Sequence, residues 1–493
     1  MKKQTLLMLV YCAVLTGCLE VAIAHSTENN TLTSERDMNR TELPMQIPKL
    51  VFAHYFTPYP RSINNKVKKQ SYYDANYLNP LGEKKKFLSK GGLLRSRPLY
   101  RPPIDRDVDW KLEDARSEVL QALAIGLDGF SMNLLSTTGY NWNRVLRMYD
   151  AAEDQGGFKI LVMPDMNAVF KNYPERFVPV IQELAKRKAS YRLPDGRLVI
   201  SPYLAENQSP KWWRETLDEL SSLGIEVALL PLYHRWALNI EKFKSQEPEA
   251  FKKYVIGTSE WGNRTPQYGF SQKFEPNKAH GENLIWMAPV APQDSRPKSA
   301  IYTEAGNSDA YRSMWESAIQ GKADWVQIIT WNDYSESSQV APATQTGYSF
   351  YDLTSYYINW FKSGSPPKIE KDIVFGFYRE HHTEAVLSGK VQTKEFKVVG
   401  GNSPKNEIEL LAFLTSPGIL EIEINGKQYR QEATYGVTSF KIPLQEGIPI
   451  FKIIRNKELV AVANGQQKID NSIDIQDFTY HGVSSLRQPK PLN

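Results

Sequence analysis

The segment Trp331-Asn332-Asp333-Tyr334-Ser335-Glu336-Ser337 sets two carboxylates three residues apart among aromatic and amide side chains. Hydrolysis of a glycosidic bond asks for such a combination. One carboxyl group protonates the leaving oxygen while the other acts on the anomeric carbon or on a water. Their surroundings must hold the two pKa values apart, so that one stays protonated near neutral pH. Aromatic side chains nearby offer apolar faces to sugar rings. A bare Asp-x-x-Glu is more often a turn cap followed by a solvated Glu. The flanking Trp331, Asn332 and Tyr334, at the end of an apolar run, are what favour a cleft.

Rival chemistries lack their residues. The only cysteines are Cys12 and Cys18, which removes a thiol nucleophile, a disulfide framework and a thiolate metal site from the folded body. None of the seven histidines forms an HxxxH pair, and neither a metal nor an organic cofactor is implied. Sixty Lys and Arg against 55 Asp and Glu leave a net charge of +5, too weak a bias for a nucleic-acid partner. Aromatic residues at 12% fit a polysaccharide or oligosaccharide partner.

The elements that must position these groups alternate strand and helix. Apolar runs at 49–56, 126–133, 158–165, 198–203, 225–232, 254–259, 284–290 and 325–331 read as eight strands. Between most of them lie amphipathic stretches. One carries Leu112, Ala115, Val119, Ala122 and Leu123 at helical spacing, and others cover 174–188, 210–222 and 308–320. Continuous apolar strands alternating with helices predict a parallel sheet covered by helices, and a count of eight favours a (β/α)8 TIM barrel over residues 47–363. Residues 57–106 are polar and too long for a plain connection, which marks a functional loop. Residues 364–371 are a turn-rich linker. Beyond it Leu420, Ile422 and Ile424 alternate with charge and Asn425-Gly426 supplies a tight hairpin, so 372–480 is expected to be a C-terminal antiparallel β-sandwich, with 481–493 as a tail.

At the amino terminus, Lys2 and Lys3 precede an apolar run too short to span a bilayer, as in an export signal over 1–24. Leu15-Thr16-Gly17-Cys18 resembles a bacterial lipobox. It makes Cys18 the acylated residue and a lipid anchor the sole tie to a membrane, on the cell surface or in the periplasm. Cleavage after Ala22-Ile23-Ala24, giving a secreted protein, is the alternative. Residues 25–46 are polar and read as a flexible tether.

Barrel active sites gather at the carboxyl ends of the strands. The polar and aromatic residues there nominate His54, Tyr55, Asp128, Asn133, Asp165, Asn167, Tyr233, Trp261, Trp331, Asn332 and Tyr334 as substrate-binding, around Asp333 and Glu336 as the catalytic pair. Lysine is nearly absent from these positions, which disfavours a Schiff base.

Ile329-Thr-Trp331-Asn-Asp333-Tyr-Ser-Glu336-Ser337 closely resembles the strand-eight signature of glycoside hydrolase family 71, the α-1,3-glucanases or mutanases. Val51-Phe-Ala-His54, Gly126-Leu-Asp128-Gly-Phe-Ser-Met-Asn133, Gly157-Phe-Lys-Ile-Leu-Val-Met-Pro-Asp165 and Phe377-Tyr-Arg379 agree in order, so the resemblance spans about residues 49–382. It implies a (β/α)8 catalytic domain backed by a β-sandwich, acting on α-1,3-glucan with inversion. Asp333 and Glu336 match the family's paired acids and Asp128 a further acid important for activity. On that basis Glu336 is assigned general acid and Asp333 the base that activates water, with the reverse assignment open. Ser335 stands where the family usually has Gly, and Ser338 where it often has His. Two alternatives remain: a retaining α-glycosidase on another glycan such as α-mannan, and a non-catalytic glycan-binding lipoprotein on the same barrel.

Overall fold

The computed structural model describes residues 47–61, 65, 71–105 and 107–487. The expected export signal with Cys18, the tether 25–46 and the last six residues lie outside that range.

A parallel sheet organises the first part of the chain. Its strands are β1 (Leu50–Tyr55), β2 (Gly129–Leu134), β3 (Lys159–Pro164), β4 (Leu198–Ile200), β5 (Val227–Leu229), β6 (Leu232–Tyr233), β7 (Gly257–Glu260) and β8 (Ile285–Val290). After the short β9 (Ser295–Arg296) and β10 (Ile301–Thr303) comes β11 (Trp325–Ile328), which inserts between β1 and β8. The ladder runs β5-β4-β3-β2-β1-β11-β8-β7-β6. Its two ends are neighbours in sequence, because β5 and β6 are halves of one apolar segment broken at Leu230-Pro231. Proline has no N–H to give to a ladder. Here the Pro231 carbonyl accepts from Ser259 N, the Leu229 carbonyl accepts from Ile256 N, and Leu230 N donates to Ile200 O. The sheet therefore curls until both of its edges meet in one stretch of chain.

Side-chain alternation gives the curled sheet two cores. Phe52, Leu161, Val199, Ala228, Ile285, Met287 and Trp325 pack together without any helix residue, inside the curl. Their neighbours Val51, Ala53, Ile160, Val162, Leu198 and Ile200 join the helices in a larger core. The helix Trp110–Ala124 buries Ala115, Val119 and Ala122 there, and starts at Asp109, whose side chain accepts from Lys111 N and Leu112 N. Such a cap contributes about 1 kcal/mol.

Beyond the helix Ser349–Ser363 the chain builds two antiparallel sheets. The remaining strands are β12 (Ile373–Tyr378), β13 (Lys397–Val399), β14 (Glu407–Leu414), β15 (Gly418–Ile424), β16 (Lys427–Ala433), β17 (Gly436–Pro443), β18 (Ile450–Arg455), β19 (Glu458–Asn464) and β20 (His481–Ser484). Two four-stranded sheets, β17-β14-β12-β20 and β16-β15-β18-β19, share a core of Leu410, Ala412, Leu420, Ile422, Phe451 and Ile453. Asn425 and Gly426 both take positive φ, +51° and +76°, at the β15–β16 turn, as an Asn-Gly hairpin requires.

Two expectations need correction. The tail expected from 481 begins as β20, which pairs with β12 through Tyr378↔His481 to Phe375↔Ser484; four residues were too few to register as a strand in the sequence. β13 leaves the β-domain to pair with β10 of the first part. The two parts are also tied by buried charge. Arg379 and Glu304, each 1% exposed, pair at 2.9 Å, and Glu409, fully buried, accepts from Ser308 N and Oγ at the start of the helix Asp309–Gln320. Removing one partner of a buried pair leaves the other uncompensated, at about 3–5 kcal/mol. Arg379→Met is therefore expected to lower the unfolding free energy by roughly 3 kcal/mol in urea titration; a change under about 0.5 kcal/mol, the ordinary surface range, would remove the pair from the account.

Candidate active site

The loop leaving β11 is fixed by its backbone before any side chain acts. Ile329 N donates to Val290 O, Trp331 N to His54 O, Thr330 N to Ser338 O, and Val340 N returns to Thr330 O. Asn332 staples it further, its Oδ1 accepting from Phe56 N at 2.8 Å and its Nδ2 donating to Phe56 O at 3.0 Å. On this frame Asp333 and Glu336 both turn inward, 5% and 9% exposed.

The two carboxyl groups have opposite surroundings. Asp333 Oδ1 accepts from Ser335 N (2.9 Å), Ser335 Oγ (2.9 Å) and Glu336 N (3.1 Å). Burial raises its pKa above the usual aspartate value, and these bonds, with the more distant Lys298, oppose the rise. Glu336 Oε2 is buried without a hydrogen bond. Burial first, then the charges of Asp333 and Asp294, push its pKa up to about 8, against the pull of Arg296 and Arg264. Arg296 Nη2 lies 3.1 Å from Glu336 Oε2 but is committed to Asp294, to which its Nε donates at 2.7 Å and its Nη2 at 2.5 Å. The backbone links the same two loops, Ser295 N donating to Glu336 O at 2.8 Å.

Arg296 also lines an open cleft with Tyr203, Trp261, Tyr268, Tyr302 and Val399. The edge of Trp261 meets the rings of His54 at 4.9 Å and Tyr203 at 4.8 Å. His54, 2% exposed, has both ring nitrogens without hydrogen-bond partners. Burial and the charge of Arg264 bring its pKa down to about 3, so the imidazole is neutral. Asn133 Nδ2 donates to Asp165 Oδ2 at 3.3 Å, and Asp165 Oδ1 accepts from Asn167 N. Burial raises the Asp165 pKa.

The structure thus sets His54, Asn133, Asp165 and Trp261 at the strand ends, with Asn167 at the rim, where it accepts from Lys171 Nζ. Other nominated residues go elsewhere. Asp128 precedes β2 instead of ending it, because the turn at Gly126 (φ +89°) delays the strand. Its Oδ2 accepts from Val51 N (2.7 Å) and its Oδ1 from Lys362 Nζ (2.7 Å), at the amino end of the sheet. Tyr55 faces the helices, its hydroxyl donating to Glu118 and accepting from Arg144. Tyr233 and Trp331 are packed in the helix-side core, Trp331 against Phe130 at 5.2 Å. Tyr334 packs edge-on with Tyr59 and Tyr73 of the 57–106 loop. Asn332 is a backbone staple. Parity explains Tyr55: next to an inward His54 it must point outward. The sequence reading passed over Arg296, Tyr203 and Arg264; for Arg296 the Asp294-x-Arg296 spacing in an extended stretch, which puts both side chains on one face, was the available signal.

A buried carboxyl pair with unequal surroundings, set at the strand ends of a curled parallel sheet beside an aromatic cleft, defines a glycoside hydrolase. The chain belongs to glycosyl hydrolase family 71, whose model matches residues 104–488. It is 23% identical over 399 residues to a glucan endo-1,3-alpha-glucosidase of Schizosaccharomyces pombe, covering 74% of this chain and 89% of that one. It is also 23% identical over 400 residues to a mutanase of Penicillium rubens, covering 76% and 84%. Among solved structures, the GH99 endo-alpha-mannosidase from Bacteroides thetaiotaomicron aligns with 65% of this chain and 99% of its own at 13% identity and a TM-score of 0.46.

Placement of Asp128 at the far end of the sheet has a direct test. Asp128→Asn is expected to cost about 1–3 kcal/mol of stability, the range for a lost charged hydrogen bond, while kcat per folded molecule stays within about twofold. A loss of activity in a protein whose melting curve is unchanged would return Asp128 to the site.

Proposed function

We propose that this enzyme hydrolyses α-1,3-linked glucan with inversion, Glu336 as general acid and Asp333 as general base. The observation that carries the assignment of roles is the contrast between the two carboxyls. Glu336 keeps its proton near neutrality because it is buried beside two other acids with no hydrogen bond to stabilise its charge. Asp333 has three donors on one oxygen, which hold the charged form. In the reaction, Asp333 takes a proton from water as its oxygen attacks the anomeric carbon. Glu336 gives its proton to the departing glycosidic oxygen as the C–O bond breaks. The new hemiacetal is inverted, and each carboxyl is restored by proton exchange with solvent. The α-1,3-glucan substrate rests on the family and on the activities named for its relatives.

The same proposal takes the curled sheet as a closed (β/α)8 barrel over 47–363, with β5 and β6 as one interrupted strand, and residues beyond 371 as an accessory β-domain. His54, Asn133 and Asp165 are taken to bind sugar hydroxyls, with Trp261 and Tyr203 as ring platforms. Export with acylation at Cys18 belongs to it as well, and incorporation of a fatty-acid label that Cys18→Ala abolishes is the expected outcome in a bacterial host.

Removing a general acid or base lowers rate by about 10²–10⁴-fold. Asp333→Asn and Glu336→Gln are each expected to fall within that range on α-1,3-glucan, with NMR of the first wild-type product giving the inverted anomer. A retained anomer would sink the inverting assignment.

The pH profile carries signs as well as limits. The acid must be protonated, so activity falls as pH rises through the Glu336 value near 8. The base must be ionised, so activity also falls as pH drops through the Asp333 value, which lies above the ordinary one. Asp294→Asn removes a charge that raises the Glu336 pKa and frees Arg296 to pair with it, so the alkaline limb moves to lower pH. Arg296→Gln removes the cation and moves that limb to higher pH. Shifts of the same sign in both variants would separate Asp294 and Arg296 from the protonation of Glu336.

A further inference from the structure

Beside the β12–β20 pairing of the β-domain, Glu380, Asp477 and His481 converge. His481 opens β20 and lies opposite Tyr378 of β12, which brings Glu380, two residues past Tyr378, into its vicinity. Asp477 sits four residues before His481, on the approach to the same strand. One ligand-type atom from each of the three lies within 4.8 Å of the other two. Donors bound to a common ion at about 2.0–2.2 Å are separated by no more than about 4.4 Å, a limit that the 3.1 Å and 3.9 Å from His481 Nε2 to Glu380 Oε1 and Asp477 Oδ2 meet.

The imidazole supplies the second observation. His481 is 3% exposed, and its Nε2 is buried without a hydrogen-bond partner. That atom lies 3.1 Å from Glu380 Oε1 and 3.9 Å from Asp477 Oδ2, near enough to both oxygens to share an ion, yet out of line for a hydrogen bond to either. Two carboxylates thus face one unsatisfied nitrogen. Among the described residues, no Lys or Arg nitrogen comes within ion-pair distance of either acid. Arg95, buried nearby, spends its guanidinium on the carbonyls of Lys90, Gly91 and Gln476.

Asp477 is also held as a ligand should be. Its Oδ1 accepts from Thr479 N at 2.9 Å, its Oδ2 from Gln345 Nε2, and its backbone N donates to His381 Nε2 at 2.8 Å. Oxygens oriented by such outer partners are the usual setting of a bound metal.

We infer that Glu380, Asp477 and His481 form a binding site for one divalent transition-metal ion of the zinc class. An imidazole nitrogen with two carboxylate oxygens suits Zn²⁺ better than Ca²⁺, which prefers six to eight oxygens. The ligands are 101 residues apart at the extremes, so the site has no sequence motif of the HxxxH kind. Its place in the fold assigns it a clamping role. It joins the segment after β12 to the approach to β20, and through Gln345 to the chain that follows the Asp333–Glu336 loop. None of its three residues is among the reacting groups proposed above.

The test uses the whole protein, stripped with EDTA, dialysed, and titrated with ZnCl2 by calorimetry, with bound metal counted by mass spectrometry. One equivalent of zinc per chain is expected, with a rise in Tm on addition and little response to CaCl2. His481→Ala should abolish binding. Because a buried histidine can be needed for folding, Glu380→Gln, at a half-exposed position, provides the second arm and should weaken zinc binding by more than about tenfold with an unchanged far-UV spectrum. No saturable zinc binding by the wild type, or binding of equal strength in Glu380→Gln and His481→Ala, overturns the site in favour of a plain His481–Glu380 ion pair. Hydrolytic activity is not the readout, so failure here leaves the roles of Asp333 and Glu336 untouched.

Discussion

Two carboxylates share a nearly dry pocket at the exit of β11, and the rest of the site is arranged around the cost of putting them there. Charged groups out of water are tolerated only when paired or hydrogen-bonded. The protein treats the two acids differently. Asp333 receives its own turn's donors on one oxygen, as an aspartate capping a turn does. Glu336 receives none, and its nearest cation, Arg296, is already bound to Asp294. Burial raises both pKa values, that of Glu336 to about 8, and only Asp333 has hydrogen bonds that oppose the rise, an inequality of the kind that acid–base cleavage of a glycoside needs.

That division depends on loops being held to each other more tightly than loops usually are. Asn332 clamps the exit of β1, Ser295 N bonds Glu336 O, and Tyr334 is wedged among the tyrosines of the 57–106 loop. The β-domain takes part in this bracing. Glu409 satisfies the start of the helix Asp309–Gln320, Arg379 pairs with Glu304 in the interior, and the chain around β13 brings Val399 and Gly400 to the wall of the cleft. A domain joined by such buried contacts is part of the catalytic body and not a loosely tethered module.

Much of this was legible in the sequence, for identifiable reasons. Long apolar runs separated by amphipathic helices gave the parallel sheet, and Asn425-Gly426 gave the β15–β16 hairpin, because both patterns are local. The paired acids were legible because they are adjacent in sequence at a strand end. What failed was anything set by one-residue parity or by a boundary. Tyr55 and Trp331 border inward positions yet face the helices, and Asp128 fell at the wrong end of β2 because Gly126 delays the strand. Arg296 was invisible for another reason: it sits in an excursion beyond β8, and its meaning comes only from contact with a glutamate forty residues away. The cluster of Glu380, Asp477 and His481 is long-range in the same sense.

Direct titration of Glu336 reports on the central claim with the fewest intervening steps. With glutamate carboxyl carbons labelled by ¹³C, the resonance absent from Glu336→Gln would be followed from pH 4 to 10. A midpoint near 8 is the result the structure predicts. A midpoint near the ordinary glutamate value of about 4.3 would contradict it, since Glu336 would then be ionised at neutral pH and have no proton to give.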